Sequence, residues 1–137
     1  MKMVYICFMQ RQWKVLLYET EAHECPVRSF LAKLDNREHA KTAAWIALLK
    51  EHGINLHRPF ADLLEEGIHE LRMKITGDQI RILYFFCYRD YIILTHSFLK
   101  TTDKVPGKEI TRAKHYRADF LRRYGENSIR RLGNDII

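Results

Sequence analysis

Residues 68–99 constrain the fold more than any other part of this 137-residue chain. Three consecutive runs, IHELRMKI, IRILYFFCY and YIILTHSFL, are rich in the β-branched and aromatic residues that favour strands. Their connections centre on Gly77-Asp78 and Arg89-Asp90. Two-residue connections join antiparallel neighbours, although the second has weaker turn chemistry than the first. The sequence therefore predicts a three-stranded antiparallel arrangement.

The register of these hairpins predicts which residues stand opposite each other. If both connections are two-residue loops, four pairs follow from antiparallel pairing. They are Arg72 with Leu83, Lys74 with Arg81, Arg81 with Phe98, and Leu83 with His96. A slip of one residue in either hairpin would exchange the faces, so the register is testable.

Alternation of side chains along each strand then assigns the two faces of the sheet. The face that the first two helices should cover holds apolar residues, namely Leu71, Met73, Ile75, Ile80, Ile82, Tyr84, Phe86 and Ile93. The opposite face holds Glu70, Arg72, Lys74, Arg81, His96 and Phe98, with Phe85, Cys87, Ile92 and Leu94 toward the second turn. We expect the charged groups to project from an uncovered surface, whose apolar end needs cover from the last helix or from a partner.

The first half of the chain predicts a strand and two helices. QWKVLLYE (12–19) is typical of a strand. Pro26 suits a first helical position, and apolar residues then recur with helical spacing over 26–34. Asp35, with a glutamate three residues later, forms a capping-box pattern for a second helix that Gly53 ends.

The end of the chain predicts one more helix. It should begin near Pro106, turn an apolar face inward and end at Gly125. Residues 126–137 should form a flexible tail. The length and the 47% apolar content indicate one domain over residues 1–137.

Positive charge is concentrated in the second half of the chain. Residues 68–137 hold fourteen Lys and Arg against eight Asp and Glu, which accounts for the whole net charge of +6. Such a local positive field favours polyanions, and nucleic acid is the first partner to consider. A solvated basic helix is the alternative explanation.

Cysteine usage and hydropathy indicate a cytoplasmic protein. Cys7, Cys25 and Cys87 are odd in number and widely spaced, which predicts neither a disulfide framework nor a zinc site. No apolar run approaches the roughly 20 residues of a membrane span. We therefore expect no membrane association.

The stretch at 67–113 reads GIHELRMKITGDQIRILYFFCYRDYIILTHSFLKTTDKVPGKEITRA. It resembles the toxin subunits of bacterial type II toxin–antitoxin systems in the RelE/ParE superfamily, specifically the HigB-like, phage-derived branch. The resemblance extends upstream through WKVLLYE, CPVRSFLAKL and LLKEHG and covers about residues 12–123. It implies a RelE-like α+β fold, in which an N-terminal strand and a two-helix hairpin pack on a mainly antiparallel sheet with a C-terminal helix.

The resemblance also implies an activity and two partners. Toxins of this branch are mRNA interferases, endoribonucleases that inhibit translation by cutting mRNA, usually on the ribosome. A helix-turn-helix (HigA-like) antitoxin holds them inactive. Cleavage is independent of metal: the 2′-hydroxyl attacks the adjacent phosphate and the 5′-oxygen leaves. No cofactor is expected, and no histidine here has the spacing of a known metal site.

Compatible chemistry is present in this sequence. Arg72 and Arg81 can hold and neutralise a phosphate, because a guanidinium donates parallel hydrogen bonds and stays charged. Lys100 adds positive charge to this catalytic set. His96 suits the general acid, since its unperturbed pKa of about 6.5 lies near neutrality. The expected substrate-binding residues are Lys74, Phe98 and Lys104, with Phe98 stacking on a base.

Each of these residues also has a structural explanation. Arg81 could form an ion pair with Glu70 or Asp78, and Arg72 with Glu70 or Glu109. A histidine in a strand is more often a structural residue with its hydrogen bonds satisfied. Lys100 and Lys104 could be solvated, and an aromatic residue such as Phe98 usually packs in a core.

Two departures from the RelE pattern leave the general base open. Glu70 stands where the RelE branch has a basic residue, and Ile110 stands where it has a tyrosine in the last helix. The base is either Tyr116 or no protein group. HigB-like relatives show similar substitutions, which favours that branch over loss of activity.

Two other classes of function remain as alternatives. A ParE-like protein would inhibit DNA gyrase by binding, so its last helix would be essential while Arg81 and His96 would be dispensable. A non-enzymatic module, or a decayed toxin, would bind RNA in a salt-sensitive way that His96→Ala leaves unchanged.

Overall fold

The computed structural model describes residues 13–132 of the chain. Its strands are β1 (Lys14–Leu17), β2 (Ala61–Glu65), β3 (Ile68–Ile75), β4 (Asp78–Cys87) and β5 (Tyr91–Leu99). They form one sheet in the order β1-β5-β4-β3-β2. β1 lies parallel to β5, and the other neighbours are antiparallel.

Three α-helices cover the two faces of the sheet. They are α1 (Pro26–Ala32), α2 (Asn36–His52) and α3 (Gly107–Arg123). The predicted capping box opens α2: the Asp35 carboxylate accepts from the Glu38 N–H at 2.8 Å, and the Asp35 N–H donates to the Glu38 side chain at 3.1 Å. The predicted α+β fold class is confirmed. None of these helices is long and apolar enough to cross a membrane.

Two hydrophobic cores lie on either side of the sheet. The first core, between the sheet and helices α1 and α2, includes Trp13, Val15, Leu17, Val27, Leu31, Ile46, Leu49, Leu71, Met73, Ile82, Tyr84, Ile92 and Leu94. The second core, beneath α3, includes Leu16, Tyr18, Ile68, Leu83, Phe85, Tyr91, Ile93, Ile110, Ala113, Phe120 and Ile129. The sheet is therefore buried on both faces.

The first hairpin turns one residue earlier than predicted. Its loop is Thr76-Gly77, and both residues have positive φ, at 50° and 87°, as a type I′ turn requires. Arg72 consequently pairs with Arg81, and the predicted pairs of Arg72 with Leu83 and Lys74 with Arg81 are wrong. The pairing has moved by two residues, so every side chain keeps its predicted face.

The second hairpin follows the predicted register only near its open end. Arg81 pairs with Phe98 and Leu83 with His96, as predicted. A β-bulge at Thr95 then shifts the register, so that Tyr84 pairs with Leu94. Beyond a bulge the alternation of faces is reversed.

Because of the bulge, the predicted faces of three β5 residues are wrong. Ile92 and Leu94 belong to the first core, and Ile93 belongs to the second, the opposite of the prediction. The extra residue in β5 also lengthens the connection at Arg89, which spans residues 88–90 rather than two residues. The weak turn chemistry of this connection left its length undetermined.

Two other expectations need correction. β2 was missed, because the sequence ADLLE contains Ala, Asp and Glu, which are depleted in strands. The predicted tail over 126–137 is also wrong in part, since Ile129 is fully buried and begins a 3₁₀ turn, Ile129–Leu132. Residues 133–137, like Cys7 and the rest of 1–12, lie outside the described part.

Candidate functional site

The sheet face beneath α3 brings together residues from three strands. Glu70 and Arg72 come from β3, Arg81 from β4, and His96 and Phe98 from β5. Arg81 pairs directly with both Arg72 and Phe98. His96 lies two residues along β5 from Phe98, which makes it a diagonal neighbour of Arg81 at roughly 7–8 Å between backbones. The predicted convergence on one face is confirmed.

Glu70 links the two arginines of this group. Its Oε1 lies 3.0 Å from Arg81 Nε, and its Oε2 accepts a hydrogen bond from Arg72 Nη1 at 2.9 Å. At this separation Arg81 and Glu70 form a buried ion pair. Glu70 is 2% exposed and Arg81 3%. Burial lowers the pKa of Arg81 and the Glu70 charge opposes that effect.

His96 is enclosed by protein groups. Its side chain is 1% exposed. Nδ1 lies 3.1 Å from the Thr95 hydroxyl, and Nε2 lies 3.0 Å from Oε1 of Glu109, in the first turn of α3. Burial lowers the pKa of His96, while the hydrogen bond to Glu109 raises it. Both ring nitrogens are therefore occupied, and another molecule can reach Nε2 only if Glu109 moves.

The expectation of an uncovered charged surface is wrong for Arg81 and His96. α3 covers the face because Ile110 and Phe120 enter the second core. The structural roles offered above as alternatives match the observed contacts. Arg81 and Arg72 both pair with Glu70, and both ring nitrogens of His96 have hydrogen-bond partners. Their catalytic roles stay predictions.

The remaining predicted residues lie at exposed or half-buried positions. Lys74 and Lys104 are exposed and Lys100 is half-buried. Phe98 is half-buried, packs against the second core and has its ring centroid 5.9 Å from that of His96. The sequence offered no means to distinguish these positions from ordinary solvated residues.

Tyr116 and Arg112 adjoin the group from α3. The Tyr116 ring meets His96 edge-on, with centroids 5.7 Å apart, and stacks on Tyr18 at 4.5 Å. Its hydroxyl accepts a hydrogen bond from Arg112 Nε at 3.0 Å. Tyr116 is one of the two alternatives given above for the general base, and its ring lies beside that of His96. Sequence reasoning missed Arg112 and the hydrogen bond of Glu109 with His96, because both depend on how α3 docks.

No cluster of three or more His, Cys, Asp or Glu side chains within residues 13–132 is arranged to hold a metal ion. The titratable groups of the site are instead paired with one another. The arrangement can bind an anion through Arg72 and Arg81, and it can transfer a proton through His96 once their carboxylate partners are displaced.

A family model for Gp49-like phage-derived proteins (DUF891) matches residues 29–117. That match covers well over half of the chain. This chain belongs to the Gp49-like family. The family comprises RelE-like, toxin-like proteins. The matched region of this Gp49-like protein runs from within α1 to within α3 and contains all of the residues grouped above. No curated protein matches the chain.

Proposed function

We propose that this Gp49-like protein is the toxin of a type II toxin–antitoxin system and cleaves mRNA without a metal ion. The observation that carries the proposal is the convergence of Arg81 and His96 beside Arg72 on one sheet face. Membership of a toxin-like family supports the same conclusion. The proposed partners are mRNA on the ribosome and a helix-turn-helix (HigA-like) antitoxin.

The proposed reaction is a transfer within the RNA chain. The 2′-oxygen attacks phosphorus, the bond to the 5′-oxygen breaks, and the products are a 2′,3′-cyclic phosphate and a 5′-hydroxyl. Arg72, Arg81 and Lys100 stabilise the extra negative charge, and protonated His96 gives its proton to the leaving oxygen. The 2′-proton passes to Tyr116, in its phenolate form, or directly to water if no protein group acts as the base. Lys74, Phe98 and Lys104 hold the flanking nucleotides.

With the carboxylates of Glu70 and Glu109 in these positions, the active site of the proposed enzyme is closed to substrate. A substrate phosphate has to replace Glu70 at the guanidinium groups, and Glu109 has to leave His96. The first turn of α3 carries Glu109, whereas its far end is held separately by a 2.6 Å hydrogen bond from Tyr18 to Asp119. The proposal therefore requires the first turn of α3 to move away from His96 while the far end of the helix can stay in place.

The test is cleavage of a defined mRNA by the purified chain, with and without ribosomes and in the presence of a chelator. We expect fragments ending in cyclic phosphate. His96→Ala should lower the rate by about 10²–10⁴-fold and Arg81→Ala by about 10²–10³-fold. Lys50→Ala, an exposed change at the end of α2, is the matched control.

Arg81→Ala removes one of the two partners of buried Glu70, so loss of folding has to be separated from loss of chemistry. The double variant Glu70→Gln/Arg81→Gln keeps a neutral polar pair in the same space. A folded double variant that cleaves at the wild-type rate would reject the site, as would full toxicity of Arg81→Ala on expression in cells.

One observation favours a second candidate function. Arg81 and His96 are both almost fully buried, as residues with a purely structural role would be. A nucleic-acid-binding module without cleavage, or a ParE-like inhibitor of gyrase, fits that burial. For such a module, RNA binding should fall with salt and remain unchanged in His96→Ala; gyrase inhibition should be lost with changes in α3 alone.

A further inference from the structure

β1 covers only half of the neighbouring strand β5. Lys14–Leu17 pair with Tyr91–Leu94, and the last bond between them runs from the Tyr18 N–H to the Leu94 carbonyl at 2.9 Å. The chain then turns away from the sheet. No strand within residues 13–132 pairs with the outer side of 95–99. The second half of β5 is therefore an open sheet edge, of the kind that pairs with another strand.

The direction of the backbone groups on this edge follows from one hydrogen bond. The Lys100 N–H donates to the Gln79 carbonyl at 2.8 Å, so residue 100 points inward, toward the β4 side. Successive residues of a strand point their backbone groups in opposite directions. Ser97 and Leu99 consequently present N–H and C=O groups outward, at the spacing that an added strand would match.

A groove of about 390 Å³ lies along this open edge, between α1 and α3. Its apolar lining includes Phe30, Ile80 and Leu99, and Leu99 is 51% exposed. Lys33 and Arg112 stand on its two sides, and neither forms an ion pair with a carboxylate of the described residues. The lining contains no acidic side chain. The groove is thus apolar at its base and cationic at its rims.

We propose that the groove docks an extended, acidic peptide segment of a partner protein, which adds to β5 as a further strand. Its backbone would pair with Ser97 and Leu99, alternate apolar side chains would enter the groove, and its carboxylates would meet Lys33 and Arg112. The phosphates of an RNA strand could also pair with Lys33 and Arg112. RNA has no alternating amide groups to pair with the edge, which is why the observations favour a peptide.

The chain's own first residues are a poorer occupant. Lys14 stands opposite Tyr91, at the far end of β5 from the groove. Thr95 is four residues further along, about 13 Å away, and Leu99 about 26 Å, at the rise of a strand. A segment preceding Lys14 would have to pass back along β1 to reach the open edge. The groove also reaches His96 and Phe98 of the candidate site, so a docked peptide would compete with RNA. Peptide binding does not require cleavage, so the two proposals can still fail separately.

The probe is a fluorescent six-residue peptide of alternating glutamate and valine, titrated into the full chain and followed by anisotropy. We expect it to bind, whereas a lysine–valine peptide should not. A glutamate–valine peptide N-methylated at every second residue should lose affinity by about tenfold or more, because it cannot donate to the edge. In amide NMR spectra, the signals of Ser97 and Leu99 should shift and exchange more slowly.

Charge reversal tests the two rims. Lys33→Glu and Arg112→Glu should each weaken binding by about tenfold. Lys50→Glu makes the same change of charge outside the groove and should leave binding unchanged. Thermal unfolding of each variant establishes that it remains folded.

Four outcomes would overturn the proposal. The first is no binding of the glutamate–valine peptide, and the second is equal binding of its N-methylated form. The third is displacement of the peptide by a six-nucleotide oligouridine with the same dependence on Lys33 and Arg112, which would make the groove a nucleic-acid surface. The fourth is peptide binding that requires deletion of residues 1–12, which would assign the groove to the chain's own segment.

Discussion

Glu70 places a buried carboxylate between Arg72 and Arg81. The three side chains together carry one excess positive charge, so a phosphate can enter only in competition with the carboxylate. The sequence alone allowed an ion pair between Arg81 and Glu70 and a phosphate-binding role as alternatives. The structure shows the ion pair, and what remains to be measured is how strongly Glu70 retains the two guanidinium groups.

We predict that Glu70→Gln destabilises the protein and tightens its binding to RNA. Removing one partner of a buried ion pair costs about 3–5 kcal/mol, because Arg81 stays buried without its counter-charge. Urea unfolding and RNA titration measure the two effects. Asp62→Asn, which removes the partner of the exposed Arg58, is the control and should cost about 0–1 kcal/mol. Equal losses in both variants would show that Arg81 does not depend on Glu70.

Stability should also depend on pH through His96. Burial holds the pKa of His96 below its ordinary value, so the unfolded chain, with an imidazole pKa of about 6.5, binds the proton first as the pH falls. The contribution of neutral His96 is complete above that pH and is lost progressively below it.

The measurement is the urea midpoint of wild type and His96→Gln at about pH 7.5 and about pH 5.5. The wild type should lose stability over this interval, and the variant should lose less. Some loss should remain in the variant, because burial also lowers the pKa of His69. Parallel profiles for the two proteins would contradict the assignment.

Among the helices, the end of α2 depends on Gly53. Its φ is 52°, and a Cβ at this position would overlap the indole ring of Trp13, which belongs to the first core. The sequence predicted the helix end from this glycine. It did not predict the close approach of Trp13, since the two residues come together only when β1 and α2 pack.

Gly53→Ala should lower the free energy of unfolding by about 2–4 kcal/mol, through backbone strain and displacement of Trp13. Gly107→Ala is the matched control. Gly107 begins α3, and an added Cβ meets no atom within 4 Å there. Chemical denaturation followed by tryptophan fluorescence reports both changes, and a Gly53→Ala variant as stable as the control would refute the packing argument.

Elements with a strong local signal were predicted from the sequence, and those without one were missed. The helices α1 and α2 have a proline and a capping box at their starts. β2 has neither β-branched nor aromatic residues, and it forms because β3 offers it a partner. Its strand conformation is a consequence of tertiary pairing.

At the scale of the whole molecule, the net charge of +6 favours long-range attraction to polyanions, and RNA is the proposed one. We predict that the logarithm of RNA affinity falls linearly with the logarithm of salt concentration. Lys104→Glu should reduce the slope by about one for each phosphate that the variant no longer neutralises, while Lys50→Glu, in the neutral half of the chain, should not. Filter binding over a series of salt concentrations tests this, and equal slopes would refute a role for Lys104.

The order of residues put Arg81 and His96 on one face, and this prediction is confirmed because the bulge at Thr95 offsets the extra residue in the connection at 88–90. Three other features emerge only when the chain is folded: the bulge at Thr95, the burial of both residues beneath α3, and the hydrogen bond of Glu109 with His96. These depend on which distant side chains fill the space beside the sheet. Such packing is set by the whole chain at once, and no spacing of residues encodes it.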